Sequence, residues 1–401
     1  MLLRLVLPLI LLRLWWRGRR ERGYREAVTE RFGIYAGDVP DKLVWIHAVS
    51  VGEARAAEPL VRALQALLPG HRLLVTCTTA AGRETIRQVY AEAVLSAYLP
   101  YDYPESVQGF LGHFRPRLGV LMETEVWPNL LHACAAAGVP VLLANARMSE
   151  KSERRYRRFS ALTAPAFGAL AAVCAQSRAD AERLAGLGAQ AVEVTGNLKF
   201  DVTPDAAQVQ AGRAWRSRLG RPVLLLASTR EGEEAMLLKE ISMEKDLLVL
   251  VVPRHPRRFD EVAQLADARR SQQELPPAGA RVYLGDTMGE MAFYYGAADV
   301  AVIGGSLQPL GGQNLIEALA VGVPVVVGPH MFNFAEATRL AKRAGAVAQK
   351  LDLAGVVAEA LRLLGDAQKR AAMAAAGKTL CETHRGATQK HLAVCQRLLR
   401  G

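Results

Sequence analysis

Cysteine is scarce in this 401-residue chain, with five in all, at positions 77, 134, 174, 381 and 395. An odd, scattered set without metal-ligand spacing argues against a disulfide framework and a zinc site, and suits reduced, buried thiols of a cytoplasmic protein. Long apolar runs are missing too. Residues 1–16, MLLRLVLPLILLRLWW, are interrupted by Arg4, Pro8 and Arg13, and fall short of the ~20 apolar residues of a spanning helix. Trp15, Trp16 and Arg17 stand where a secretory signal would carry small residues for cleavage. Neither the G-x-G-x-x-G nor the Walker pattern occurs, so NAD and P-loop ATP chemistry lack support. No RNA-binding signature or aromatic-interleaved basic repeat is visible, and no nucleic-acid partner is expected.

What is present describes a globular protein with anionic partners. Apolar residues make up 51% and charged residues 22%, and 50 Lys and Arg against 39 Asp and Glu leave a net charge of +11. Such a surface favours phosphates or acidic headgroups. The N-terminal leucines, paired tryptophans and the arginines at 17, 19, 20 and 22 fit a helix lying in a membrane interface, facing anionic lipid. A core helix with a solvated basic end has the same pattern.

From Leu43 onward short apolar strands alternate with amphipathic helices, the pattern of parallel sheets covered on both faces. Six strands are expected in the first half: 43–48, 73–77, 118–122, 139–144, 171–175 and 191–195. Six more follow at 223–227, 246–252, 281–284, 300–303, 323–327 and near Ala346. The expected organisation is an anchor over 1–25, a Rossmann-like domain over 26–200, and a linker over 201–222. A second Rossmann-like domain follows over 223–386, then a C-terminal helix over 387–401. The fold class is α/β, two doubly wound domains facing a central cleft.

Candidate chemistry lies at strand ends. Ser50 and Glu53 follow the first strand, where they fit a capping box, an ordinary helix-start signal and the first reading of this pair, and also set a carboxylate at a ligand crevice. Glu123 and Glu125 close another strand, and buried carboxylates are unfavourable unless paired or used; both could also be solvated. Arg147 could reach an anion, or be a surface arginine beside the basic run 151–158. In the second half Ser228, Thr229 and Arg230 offer hydroxyls and N–H groups at a strand-to-helix turn suited to phosphate. Arg254 and His255 are held between prolines. The glycine-rich stretch Gly304–Asn314, with Gly305, Ser306, Gly311, Gly312, Gln313 and Asn314, lets backbone approach a ligand closely. Glu317 follows it, suited to a ribose.

The ordered motifs HAVSVGE, METEVWPNL, GNLKFD, ASTREGEE, VPRHPRRF, GGSLQPLGGQN and GPHMFNF resemble the bacterial Kdo transferases, which move 3-deoxy-D-manno-octulosonic acid (Kdo) from CMP-Kdo to a lipid A precursor. The resemblance implies the glycosyltransferase B fold, inversion at the anomeric carbon, no metal and no cofactor beyond the CMP-Kdo donor substrate. It implies transfer to the 6′-hydroxyl of lipid IVA at the cytoplasmic face of the inner membrane. Glu53 matches the family's general base, with Glu123, Glu125 and Arg147 on the acceptor side. The donor side would use Ser228, Thr229, Arg230, Arg254, His255 and the glycine-rich loop, with Lys199 reaching the leaving phosphate. Arg230 and Gln313 stand where the family often has histidine. The alternatives are a UDP-sugar-dependent lipid glycosyltransferase or sugar-nucleotide epimerase of the same fold, and a noncatalytic protein that binds membrane surfaces or polyanions.

Overall fold

The computed structural model describes residues 7–19, 21–38, 41–241 and 246–400. The chain divides into two compact units, Met1–Val202 together with Arg385–Gly401, and Thr203–His384. Among the described residues the first unit builds a parallel sheet of seven strands: β1 (Leu43–His47), β2 (Arg72–Cys77), β3 (Leu95–Tyr98), β4 (Leu118–Met122), β5 (Val141–Ala146), β6 (Ala172–Ala175) and β7 (Val192–Val194), in the order β3-β2-β1-β4-β5-β6-β7. The second builds β8 (Val223–Thr229), β9 (Leu248–Pro253), β10 (Ala268–Arg269), β11 (Val282–Leu284), β12 (Val300–Ile303), β13 (Val325–Val327) and β14 (Val347–Gln349), in the order β10-β11-β9-β8-β12-β13-β14.

The central strands are buried along their whole length, as expected where helices cover both faces. Alternate residues then feed opposite cores. Val44 and Ile46 pack with Leu60, Val75 and Val120, whereas Leu43 and Trp45 pack with Leu74, Phe110 and Leu121. Each large side chain so buried stabilises the sheet by roughly 1.5–3 kcal/mol. Gly119 on β4 makes room for Trp45, since a Cβ there would stand 2.9 Å from the indole.

Two expectations are corrected. The first sheet has a seventh strand, β3, whose Leu95 and Ser96 are only half-buried, so its sequence lacks a continuous apolar run. Residues 201–222 are not a linker. Asp205 caps the helix Ala206–Leu219 by accepting from Ala207 and Gln208 N–H at 2.9 and 3.1 Å, and a Cβ on Gly212 would lie 2.1 Å from the Phe293 carbonyl. That close helix crossing makes the segment part of the second unit. The C-terminal helix, Ala387–Arg400, belongs to the first unit.

The N-terminal helix runs Leu7–Arg17 and leaves Leu12, Trp15 and Trp16 exposed. No described helix is long and apolar enough to cross a membrane. Tyr24, just after it, is buried and takes a hydrogen bond from Arg17 at 2.6 Å, while Arg19 stacks over Trp15. Residues 1–6 and Arg20 of the expected anchor lie outside the described residues.

Strand order fixes where ligands go. β1 lies between β2 and β4, and β8 between β9 and β12, so the direction of winding reverses beside each. Beyond the carboxyl ends at such a switch point an open α/β sheet forms its binding crevice.

Candidate active site

At the first switch point three carboxylates converge. Glu53 stands in the first turn of the helix Val51–Leu67. Ser50 is the N-cap residue but makes no capping bond, and Glu53 accepts instead from the N–H of Val49, so the capping box is not closed as its sequence suggests. Burial, followed by the charges of Glu123 and Glu125, pushes the Glu53 carboxyl up to about 8.

Glu123, at the end of β4, is buried and held in a left-handed conformation with φ 60°. It is neither solvated nor alone: Arg147 Nε and Lys199 Nζ each lie 2.8 Å from it, one on each oxygen. Burial would raise its pKa, but Lys199 and then Arg147 hold it down to about 2. Arg147 is therefore no stray surface arginine, and Lys199 is engaged with a carboxylate rather than with open space. Glu125 accepts from the Trp127 indole N–H at 2.7 Å, and burial raises its pKa. A fixed anion thus stands near a carboxyl that can exchange a proton near neutral pH, the condition for general base work.

At the second switch point the charge reverses. Arg230, Arg254 and Arg257 surround His255, whose pKa falls to about 4 through burial first and then Arg254, Arg230 and Arg257. Arg254 Nε donates to Gln313 Oε1 at 3.2 Å, and Arg230 Nε lies 3.1 Å from Glu231. Gly311 and Gly312 adopt φ of 91° and 73°, and a Cβ at either would collide with Asn333 or Met331.

Several expected phosphate ligands are turned inward. Thr229 donates to Glu234 at 2.6 Å, within a buried pair that Glu234 forms with Arg258 at 2.7 Å. Ser306 donates to the Ile303 carbonyl and accepts from Gly328 N–H. The Gly305 N–H is taken by Glu233 at 2.7 Å. Asn314 accepts from the Ile316 N–H at the start of the short helix Ile316–Val321 and donates to Glu317 at 2.8 Å. Ser228 remains at the strand end with φ 57°. The sequence placed Asn145 at a strand end without a role and left His391 unremarked, yet both are fully buried in the first unit and bonded to each other at 2.9 Å. Their separation along the chain leaves no local signal.

Two doubly wound sheets, carboxylates at one switch point and cations with close-approach glycines at the other, define an enzyme of the glycosyltransferase B fold. A glycosyltransferase from Rickettsia africae is similar in fold, with a TM-score of 0.61 at 13% identity over 92% of this chain and 100% of that one. The sequence profile described as 3-deoxy-D-manno-octulosonic-acid transferase (kdotransferase) matches residues 26–202. The chain is 46% identical over 413 residues to the 3-deoxy-D-manno-octulosonic acid transferase of Bordetella pertussis, covering 97% of this chain and 96% of that one. It is 36% identical to the Haemophilus influenzae transferase of the same description, over 96% and 94% of the two chains. The chain belongs to the Kdo transferase family and is a glycosyltransferase.

Proposed function

We propose that this enzyme transfers Kdo from CMP-Kdo to the 6′-hydroxyl of a lipid A precursor, lipid IVA, with inversion and without a metal. The carrying observation is the raised carboxyl of Glu53 near the cation-locked Glu123. Glu53 takes the proton of the acceptor hydroxyl as its oxygen bonds to Kdo C2. The bond from C2 to the CMP phosphate oxygen breaks, and CMP leaves with the electron pair. Arg230, Arg254 and the Gly311–Gly312 backbone of the second unit favour that developing negative charge.

The exposed Leu12, Trp15 and Trp16 beside a cluster of arginines support contact with the anionic cytoplasmic surface of the inner membrane, where a lipid acceptor resides. The test is incubation of the purified enzyme with CMP-Kdo and lipid IVA, with and without a chelator, reading product masses. One or more added Kdo residues in both arms supports the reading. Thermal protection by UDP but not CMP would overturn it in favour of a UDP-sugar enzyme.

A further inference from the structure

The last helix, Ala387–Arg400, carries His391 into the interior of the first unit, where it has no exposed surface. Its Nδ1 lies 2.7 Å from the carbonyl of Ala387 and its Nε2 lies 2.9 Å from the backbone N–H of Asn145. A carbonyl only accepts and an amide N–H only donates. The two partners therefore fix the neutral tautomer, with the proton on Nδ1 and a lone pair on Nε2. Burial holds the imidazole down to about 4, which keeps that tautomer through the working range.

Asn145 sits where the pairing of β5 with β6 shifts register between Leu143 and Ala146. Its φ of 52° is left-handed, a conformation that persists for a non-glycine residue only when the surroundings over-determine it. Those surroundings are specific. Its N–H goes to His391, its carbonyl accepts from Gln176 Nε2 at 2.8 Å, and its side-chain Oδ1 accepts from the Leu198 N–H at 3.0 Å. Arg147 lies two residues beyond Asn145, and Lys199 directly follows Leu198; these are the two cations on Glu123. Asp201 closes the same loop onto the helix by accepting from the Gly386 and Thr388 N–H groups at 2.7 and 2.5 Å.

We propose that His391 is a positioning residue for Kdo transfer: by accepting the Asn145 N–H it holds the left-handed turn that sets Arg147 and Lys199 on Glu123. This rests on the reading that Glu53 and its neighbouring carboxylates carry the chemistry. The acceptor-side array is then completed by the chain's final helix, although no residue of that helix belongs to it.

The decisive variants are His391→Leu, which keeps volume but removes the acceptor, and His391→Gln, whose amide oxygen can stand near the position of Nε2. The full-length Leu variant should lose about ten- to a hundredfold in kcat, with KM for CMP-Kdo within about twofold of the parent. The Gln variant should recover to within about threefold of the parent. The proposal is overturned if the Leu variant keeps its kcat, or if Leu and Gln are equally impaired while both melt close to the parent. Should the Leu variant fail to fold, His391→Asn decides. Its shorter amide stands near the position of Nδ1 and does not reach that of Nε2, so the Asn145 N–H loses its acceptor. A parental kcat then sinks the proposal, while a tenfold loss beside an active His391→Gln supports it. A fully active Glu53→Gln would instead remove the underlying site reading, whereas an inactive Glu53→Gln beside a fully active His391→Leu defeats the positioning role alone.

Discussion

Glu53 and Glu233 occupy corresponding places, each in the first turn of the helix that follows the first strand of its sheet. Their surroundings differ. Glu233 has no exposed surface and accepts from three backbone amides, Arg230 at 2.9 Å, Gly305 at 2.7 Å and Leu307 at 3.3 Å. Glu53 accepts from the N–H of Val49, and burial, followed by two further glutamates, raises its pKa. The same position in the same topology thus serves as a structural brace in one unit and as a carboxyl available for proton transfer in the other. What decides is how many N–H groups the neighbouring loop aims at it.

The sharpest break of this pairing is Glu53→Gln, for which kcat should fall about 10²–10⁴-fold, the usual loss of a general base, with melting temperature little changed near pH 4. A rate within tenfold of the parent would return Glu53 to a capping role. Lys199→Met should follow in size. Leaving Glu123 with one cation instead of two costs roughly 2–4 kcal/mol, somewhat below a fully buried pair, and denaturant midpoints read it. Glu233→Gln should cost roughly 1–3 kcal/mol, since the amide cannot accept from every N–H it faces. Unchanged stability there would refute the brace.

The raised carboxyl of Glu53 has consequences of its own. As the proposed general base, Glu53 must lose its proton to act, so kcat/KM should rise with pH through about 8. The same shift has a cost in stability. Between the ordinary value of 4.5 and about 8 the folded chain keeps a proton that the unfolded chain has lost, so this group's contribution to stability falls as pH rises. Glu53→Gln should accordingly match the parent in melting temperature near pH 4 and exceed it near pH 9; equal values at both would contradict the raised pKa. The smallest effect concerns the membrane surface. Removal of residues 1–18 should weaken sedimentation with anionic vesicles and leave turnover of a detergent-dispersed acceptor within about twofold, because an anchor acts on surface concentration.

Much of the fold was legible because the central strands are covered on both faces. β4 and β12 have the bounds their apolar runs suggest, and β1 differs by a single residue. β3 and the two-residue β10 escaped, being short and in part exposed. The helix Ala206–Leu219 read as a linker because its polar composition hides a packing face made by Gly212 and Trp215. At the site, strand-end carboxylates and arginines could be found from position alone. Thr229 and Ser306 look like phosphate ligands in sequence, yet their hydroxyls serve buried partners. Whether a hydroxyl points out or in depends on which partner the fold brings up, the nearby Glu234 for Thr229 and the more remote Gly328 for Ser306. His391 meets Asn145 only across a stretch of chain that includes the whole second unit.

The return of residues 385–401 to the first unit bears on how the protein is made. Every residue of the second unit leaves the ribosome before the helix that completes the first. At ~5–20 residues per second, the stretch Thr203–His384 takes roughly ten to forty seconds to synthesise. During that interval Leu60 of the helix Val51–Leu67 and Val75 of the first sheet lack Ala387, Val394 and Cys395, which finish their core. The nascent first unit therefore exposes an apolar seam for seconds at a time, a natural target for chaperones, while the second unit can fold without waiting.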